Sequence, residues 1–196
     1  LRFGTTRLAP SPTGLVDLGI FRSACFSCLA ARSTGGKFIL RVDDTDPARS
    51  KPEYTQVILD TMAWLGLDYD ELVYQSNRFS RYRELADQLV ADGRAKKLDN
   101  GAIALIPHDV PDHFVDSLSG KVAITDDDRK HMDNIILMRA PVPDEEVGDL
   151  LRMAHPTYHW SCVVDDIDLG IDHVIRGVDH LTNTGRQIAI YSTLKA

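Results

Sequence analysis

The residues best placed by type and spacing to do chemistry come early in the chain. Ala9-Pro10-Ser11-Pro12-Thr13-Gly14 follows a short apolar stretch and precedes a helical repeat. In an α/β sheet such a connection lies at the carboxyl edge of the strands, where ligands bind. Each Pro drives the residue before it out of helical geometry, so Ala9 and Ser11 are expected to be extended. Gly14 and Gly19 let backbone approach a ligand closely. The amides near Gly19 open a helix, and helix N-termini attract anions. From the residues alone the loop reads as a phosphate site or as a stiff strand-to-helix connection.

Other constellations carry less. Cys25 and Cys28 form a C-x-x-C, but Ile20, Phe21, Ala24, Cys25, Cys28 and Leu29 repeat at helical spacing. Both thiols therefore fit the apolar face of one helix, and no second C-x-x-C closes a tetrahedral zinc site. His173 and His180, flanked by Asp172 and Asp179, invite a metal reading. The simpler reading places one at a strand start and the other at a helix start. Arg78, Arg81, Arg83, Arg94, Lys96 and Lys97 form either a local basic patch or a solvated helix face.

These residues need a scaffold, and the composition allows one. The 196 residues are 43% hydrophobic and 26% charged, enough for one core or one core with a small lobe. Three Cys argue against a disulfide scaffold and for a reducing cytoplasm. No apolar run approaches the ~20 residues that span a bilayer, and the start at Leu1 does not read as a secretory signal. A cytoplasmic monomer without membrane contact is the expectation. The net charge of −7 gives no support to strong autonomous RNA binding.

Periodicity gives the elements. Arg2 to Leu8 reads as a strand, Gly19 to Arg32 as a helix stopped by Gly35-Gly36, and Lys37 to Val42 as an apolar strand. Asp46 is expected to cap a helix begun by Pro47, carrying Tyr54, Val57, Ile58, Met62 and Leu65 and ending at Gly66. Tyr82, Leu85, Ala86, Leu89 and Val90 give another helix, ending at Gly93. Strand, helix, strand, helix predicts a parallel sheet with crossover helices. From Asn100 short strands at Ala102 to Ile106, Lys121 to Ile124 and Asn134 to Met138 suggest an inserted lobe. Asp144-Glu145-Glu146 belongs to a surface loop or short helix. Tyr158 to Val164 and His173 to Ile175 read as strands again, and His180 to Leu194 as a closing helix.

Several segments together carry a family resemblance. Arg7-Leu8-Ala9-Pro10-Ser11-Pro12-Thr13-Gly14 resembles the R-F-A-P-S-P-T-G opening of class I glutamyl-tRNA synthetases and their glutamyl-queuosine tRNA synthetase relatives. Phe38 to Asp46 resembles their F-x-L-R-I-E-D-T-D. Trp64-Leu65-Gly66-Leu67 and Tyr74-Gln75-Ser76-Asn77-Arg78 are similar to W-L-G-L and Y-Q-S-x-R. Pro156-Thr157-Tyr158-His159, Val163-Val164-Asp165-Asp166 and His173 to Leu181 follow in family order, and Asn183-Thr184 and Arg186-Gln187 continue the series. The resemblance runs from residue 7 to about residue 194.

The resemblance implies an α/β, Rossmann-like (HUP-type) parallel sheet with helices on both faces and a small inserted α/β lobe. Residues 1–97 and 156–196 would form the two halves of the catalytic domain and 98–155 the lobe, with no anticodon-binding domain. It implies activation of glutamate by ATP, brought with Mg²⁺, and transfer to tRNA. For glutamate it points to Arg7, Ser11, Asp43, Tyr158 and Arg176. The two Arg and Tyr158 would take the carboxylates, for which the planar guanidinium fork is suited; Ser11 and Asp43 would take the ammonium. The eighteen residues from Tyr158 to Arg176 suit two neighbouring strands. For ATP it points to Ala9, Pro10, Thr13, Gly14, Asp17, Gly19, Asp179 and His180. The family often carries a Cys-rich, sometimes zinc-binding piece after the position of Arg94-Ala95, and Lys96 to Gly101 has none, so no metal held by the protein itself and no zinc is the expectation.

Departures are specific. Asp17 stands where the class has the first His of its H-x-G-H-like signature, and Ile20 stands at the fourth position. An ionised Asp beside polyphosphate is repulsive by ~1–4 kcal/mol at close range. Asp43 replaces a Glu of the family and is one methylene shorter. No K-M-S-K-S-like loop occurs before Ala196. No catalytic side chain is therefore assigned. Three readings compete: a glutamate–tRNA ligase, as a fragment or impaired in activity; a non-catalytic glutamate- or nucleotide-binding module; and a glutamyl-queuosine tRNA synthetase-like enzyme.

Overall fold

The computed structural model describes residues 3–107, 110–141 and 154–195. The chain forms two compact units. One comprises Leu1–Phe79 with Asp165–Val178, the other Ser80–Val164 with Asp179–Ala196.

The first unit is built on strands β1 (Thr5–Leu8), β2 (Lys37–Val42) and β3 (Glu71–Tyr74), parallel and in that order. The register sets Thr6 opposite Phe38, Leu8 opposite Leu40, and Leu40 opposite Leu72. The backbone at His173 makes a parallel bridge to Thr6. Gly4 O accepts from Lys37 N, whereas Thr5 O accepts from Asp172 and His173, so this bridge lies on the edge of β1 away from β2. Helices α1 (Leu18–Ser33) and α2 (Pro52–Trp64) are the crossovers. Alternation along the strands assigns the two faces. Leu8, Phe38 and Leu40 pack with Phe21, Ala24, Cys28 and Ala31 of α1 and with Ile58 and Met62 of α2. Burying a side chain of this kind contributes about 1.5–3 kcal/mol for the larger ones. Arg7, Ile39 and Arg41 alternate onto the opposite face.

The second unit begins in α3 (Phe79–Ala91), whose Tyr82, Ala86 and Leu89 are buried. Strands β4 (Ala95–Lys97) and β5 (Ile103–Leu105) pair antiparallel, and β5 pairs with β8 (Ile136–Met138). Between them come the hairpin β6 (His113–Asp116) and β7 (Gly120–Ala123), then α4 (Asp126–Met132). Thr125 and Asp128 form a reciprocal capping box on α4. Helix α5 (Tyr158–Asp168) starts in this unit and ends in the first. The 3-10 turn Val178–His180 leads to α6 (Asn183–Lys195).

The structure departs from the sequence reading at several points. Tyr158 to Val164 is helix, not strand. Val163, Val164 and Trp160 are all buried, and a fully buried run looks alike in strand and helix. Tyr158 and Arg176 are thus not on neighbouring strands. Asp46 does not cap a helix at Pro47. Its carboxylate accepts from the backbone and Nε of Arg49 in a turn, and α2 opens five residues later at Pro52. β3, β4, β6 and α4 were not read from the sequence. Asp144-Glu145-Glu146 lies outside the described residues.

Candidate functional site

The carboxyl ends of β1 and β2 deliver two arginines into a buried charge cluster. Arg7 precedes the 9–14 loop and its side chain is only 6% exposed. Its Nε and Nη2 donate to Asp166 Oδ1 and Oδ2 at 2.9 and 3.0 Å, a bidentate fork. Arg41, with no side-chain exposure, donates through Nη1 to Asp166 Oδ1 at 2.7 Å. Its Nε and Nη2 donate to Asp43 at 2.7 and 3.1 Å. Asp166 comes from the last turn of α5 and meets the sheet on the face opposite α1.

The neighbouring Asp165 serves other partners. Its Oδ2 accepts from Gln75 Nε2 at 2.7 Å and lies 3.7 Å from Arg41 Nε. Its Oδ1 accepts from Arg78 Nε at 2.7 Å, while Arg78 Nη2 donates to Asp168 at 2.6 Å. Gln75 and Arg78 bound the 3-10 turn Gln75–Arg78 that follows β3. The motif around Tyr74 to Arg78 thus anchors the end of α5 to the sheet. Arg78, one of the candidate basic-patch residues, is tied inward.

Burial raises the cost of each charge, and pairing offsets it. Burial acts upward on the Asp166 carboxyl, but the Arg7 and Arg41 guanidiniums outweigh it and hold the pKa below the usual carboxylate range. Asp43 goes the other way: burial pushes it up, against the pull of Arg41. Removing one member of such a cluster strands the others in a dry site, at ~3–5 kcal/mol.

The loop after β1 is strapped to the sheet. Asp43 N donates to Pro10 O at 2.9 Å, Lys51 N to Pro12 O at 3.0 Å, and Thr13 N to Ser11 O at 2.9 Å. Pro10 and Pro12 are buried; Ser11 and Thr13 are exposed, and Ala9 and Gly14 lie between. Asp17 is the N-cap of α1, its Oδ1 accepting from Ile20 N at 3.0 Å. Gly19 is exposed beside it. The anion-attracting end of α1 thus carries the chain's own carboxylate.

In the first unit, then, Arg7, Asp43 and the 9–19 loop come together at the carboxyl edge. Arg176 follows three residues after the parallel bridge of His173 to Thr6, on a segment running the same way. Tyr158, half-exposed at the start of α5, belongs to the second unit, as do Asp179 and His180. His180 Nδ1 lies 3.1 Å from Asn183 Nδ2, and its Nε2 lies 3.3 Å from Asp179. His173 pairs with Asp172 at 2.7 Å and stacks edge-on to Phe3. Among the described residues no group of three or more His, Cys, Asp or Glu side chains converges to hold a metal. Among them, too, no helix is long and apolar enough to cross a membrane.

Arg41 and Asp166 were not singled out from the sequence as site residues. The available signal was Asp165-Asp166 at the end of an apolar run, since buried carboxylates demand cationic partners.

The model of the family described as tRNA synthetases class I (E and Q), catalytic domain, matches residues 5–101 and 104–196. Glutamate–tRNA ligase 2 of Neorickettsia sennetsu is 44% identical over 187 residues, covering 95% of this chain and 42% of the relative. A glutamate–tRNA ligase of Stenotrophomonas maltophilia is 40% identical, covering 97% of this chain and 46% of the relative. The chain therefore spans somewhat less than half the length of these relatives. A crystal structure of a glutamate tRNA ligase from Elizabethkingia meningosepticum superimposes with a TM-score of 0.78 at 24% identity, over 98% of this chain and 47% of that one. That likeness establishes the Rossmann-like class I catalytic fold. The chain belongs to the catalytic-domain family of class I tRNA synthetases for glutamate and glutamine.

Proposed function

We propose that this chain binds glutamate and ATP and forms the amino-acid-activating part of a glutamate–tRNA ligase. The observation that carries the reading is Arg7, fixed at the carboxyl end of β1 where the 9–14 loop begins. Arg7 and Arg176 bind the glutamate carboxylates, and Ser11 and Asp43 meet the ammonium, all within the first unit. Ala9, Pro10, Thr13, Gly14 and Gly19 line the nucleotide end, and Mg²⁺ arrives with the polyphosphate as part of the substrate. The glutamate α-carboxylate attacks the α-phosphorus of ATP; the α–β bridging bond breaks, and glutamyl-adenylate and pyrophosphate form. The terminal hydroxyl of tRNA then takes the glutamyl group and releases AMP. No covalent enzyme intermediate is needed, so the chain's task is positioning and charge stabilisation. The division into 1–97 and 156–196 around a lobe of 98–155, a cytoplasmic location and a monomeric state belong to the same proposal.

Glutamate-dependent exchange of labelled pyrophosphate into ATP tests it, using the protein expressed from its complete reading frame. Exchange with glutamate and not with glutamine or aspartate is expected. Absence of exchange with each of these amino acids would remove the enzymatic reading.

One observation favours a second reading, a glutamate-binding module without activation. Asp17 puts a carboxylate on the N-terminus of α1, where polyphosphate would otherwise be drawn. Glutamate binding without measurable ATP binding is the outcome that reading requires.

A further inference from the structure

We propose that Asp166 is the positioning residue of Arg7: it orients the guanidinium for the amino-acid carboxylate and touches no substrate itself. The inference rests on the glutamate reading of the site.

Arg7 has a long, flexible side chain, and a carboxylate clamp works only if its fork is held in one plane. On β1 the residue alternates onto the face away from α1, and a buried guanidinium there needs an anionic partner. Asp166 supplies one from α5, 159 residues later in the chain, taking Nε and Nη2 together. Two parallel bonds to one carboxylate fix both the position and the plane of the guanidinium.

Asp166 is itself held from a second side. Arg41 Nη1 donates to the same Oδ1 that receives Arg7 Nε. Arg41 is in turn locked on Asp43 through two bonds. The chain Arg7–Asp166–Arg41–Asp43 thus joins the ends of β1 and β2 through one carboxylate of α5. It couples a residue proposed for the glutamate carboxylates to one proposed for the ammonium. Asp165, one position earlier, holds Gln75 and Arg78 and stands 3.7 Å from Arg41, whereas the fork on Arg7 is made by Asp166.

That fork makes the role separable. Asp166→Asn keeps the shape, but its NH₂ faces a guanidinium donor, so one Arg7 bond and the charge are both lost. Glutamate affinity should fall at least tenfold by calorimetry, with ATP affinity changed less than twofold. Asp168→Asn, the same change two positions on in the same helix, should leave glutamate affinity within twofold. Asp166→Asn that folds, as judged by circular dichroism, and binds glutamate like the unsubstituted chain overturns the proposal. Failure of the unsubstituted chain to bind glutamate overturns the functional reading and this proposal with it.

A measurement on the unsubstituted chain covers an Asp166→Asn that does not fold. The ¹⁵N spectrum should show a sharp Arg7 Nε–H signal in slow exchange with water, identified by its absence in Arg7→Lys. A signal averaged into the free-arginine envelope overturns the assignment of Asp166 whether or not glutamate binds.

Discussion

Asp17 caps α1 by accepting the Ile20 amide at 3.0 Å, so the position where the class has a histidine here serves helix geometry. The same carboxylate does two opposed things. It stabilises α1 by satisfying an orphan amide, and under the proposed function it would repel polyphosphate brought to the loop. Asn retains the first and lacks the second. Asp17→Ala should therefore cost about 1 kcal/mol of stability, about 2–4 °C in a chain of this size. Asp17→Asn should leave the melting temperature nearly unchanged and tighten ATP binding several-fold. Melts paired with ATP titrations decide it. Equal ATP affinity in Asp17→Asn and the unsubstituted chain would show that the carboxylate does not face the nucleotide.

The charge cluster fixes how stability depends on pH. Asp166 titrates below its unfolded value because Arg7 and Arg41 outweigh its burial. Asp70 does so chiefly through the Phe38 amide and Arg32. Such groups contribute stability that is full above the unfolded carboxylate pKa of about 4 and is lost as pH falls through the folded value. Asp43, raised by burial, acts in the opposite sense: it costs stability as pH rises from about 4 through its folded value. The chain should lose melting temperature steeply below about pH 4, and Asp43→Asn should steepen the net slope just above that point. Melts between pH 3 and 7 (about the carboxylate range and above) test this; a flat profile contradicts the paired state of Asp166.

The second unit offers an independent check through its tryptophan. Trp160 is fully buried and donates from Nε1 to Tyr82 O at 3.1 Å, whereas Trp64 is 82% exposed. In Trp64→Phe, fluorescence should be blue-shifted and resist acrylamide until the chain unfolds. Trp160→Phe should cost about 1–3 kcal/mol, through the lost ring volume and the lost hydrogen bond to the Tyr82 carbonyl. Strong quenching of Trp160 in the native chain would contradict its placement.

Backbone closeness makes a further prediction at the start of β2. A Cβ on Gly36 would stand 1.7 Å from Gly4 O, the carbonyl that begins the β1–β2 ladder. Gly66, at φ +65°, has nothing within 4 Å of its ideal Cβ. Gly66→Ala should cost only the left-handed penalty of about 1–2 kcal/mol. Gly36→Ala should cost more, at least about 2–3 kcal/mol, because backbone and not a pliable side chain is in the way. Urea denaturation of both variants gives the order, and equal costs would contradict the register Thr5 to Lys37.

Much of this was legible in the residues. The Lys37–Val42 strand, the α1 and α2 crossover helices and the 9–14 loop announce themselves through periodicity, Gly stops and Pro spacing. Cys25 and Cys28 were read as positions on an apolar helix face; Cys28 is buried and Cys25 half-buried, both as free thiols. Helix α5 was not legible, because Trp160, Val163 and Val164 leave no polar stripe to reveal a 3.6-residue period. β3 was missed because it spans four residues, none fully buried. The Arg7–Asp166 pair joins residues 159 apart, and only the folded chain brings them together.

Glutamate binding to the first unit is the central claim, and calorimetry of the amino acid into the chain tests it most directly. Glutamate should bind, aspartate and glutamine at least tenfold more weakly, and Arg7→Met should abolish the glutamate heat while retaining the folded circular dichroism spectrum. Absence of glutamate heat, or equal binding of all three amino acids that survives Arg7→Met, would contradict it.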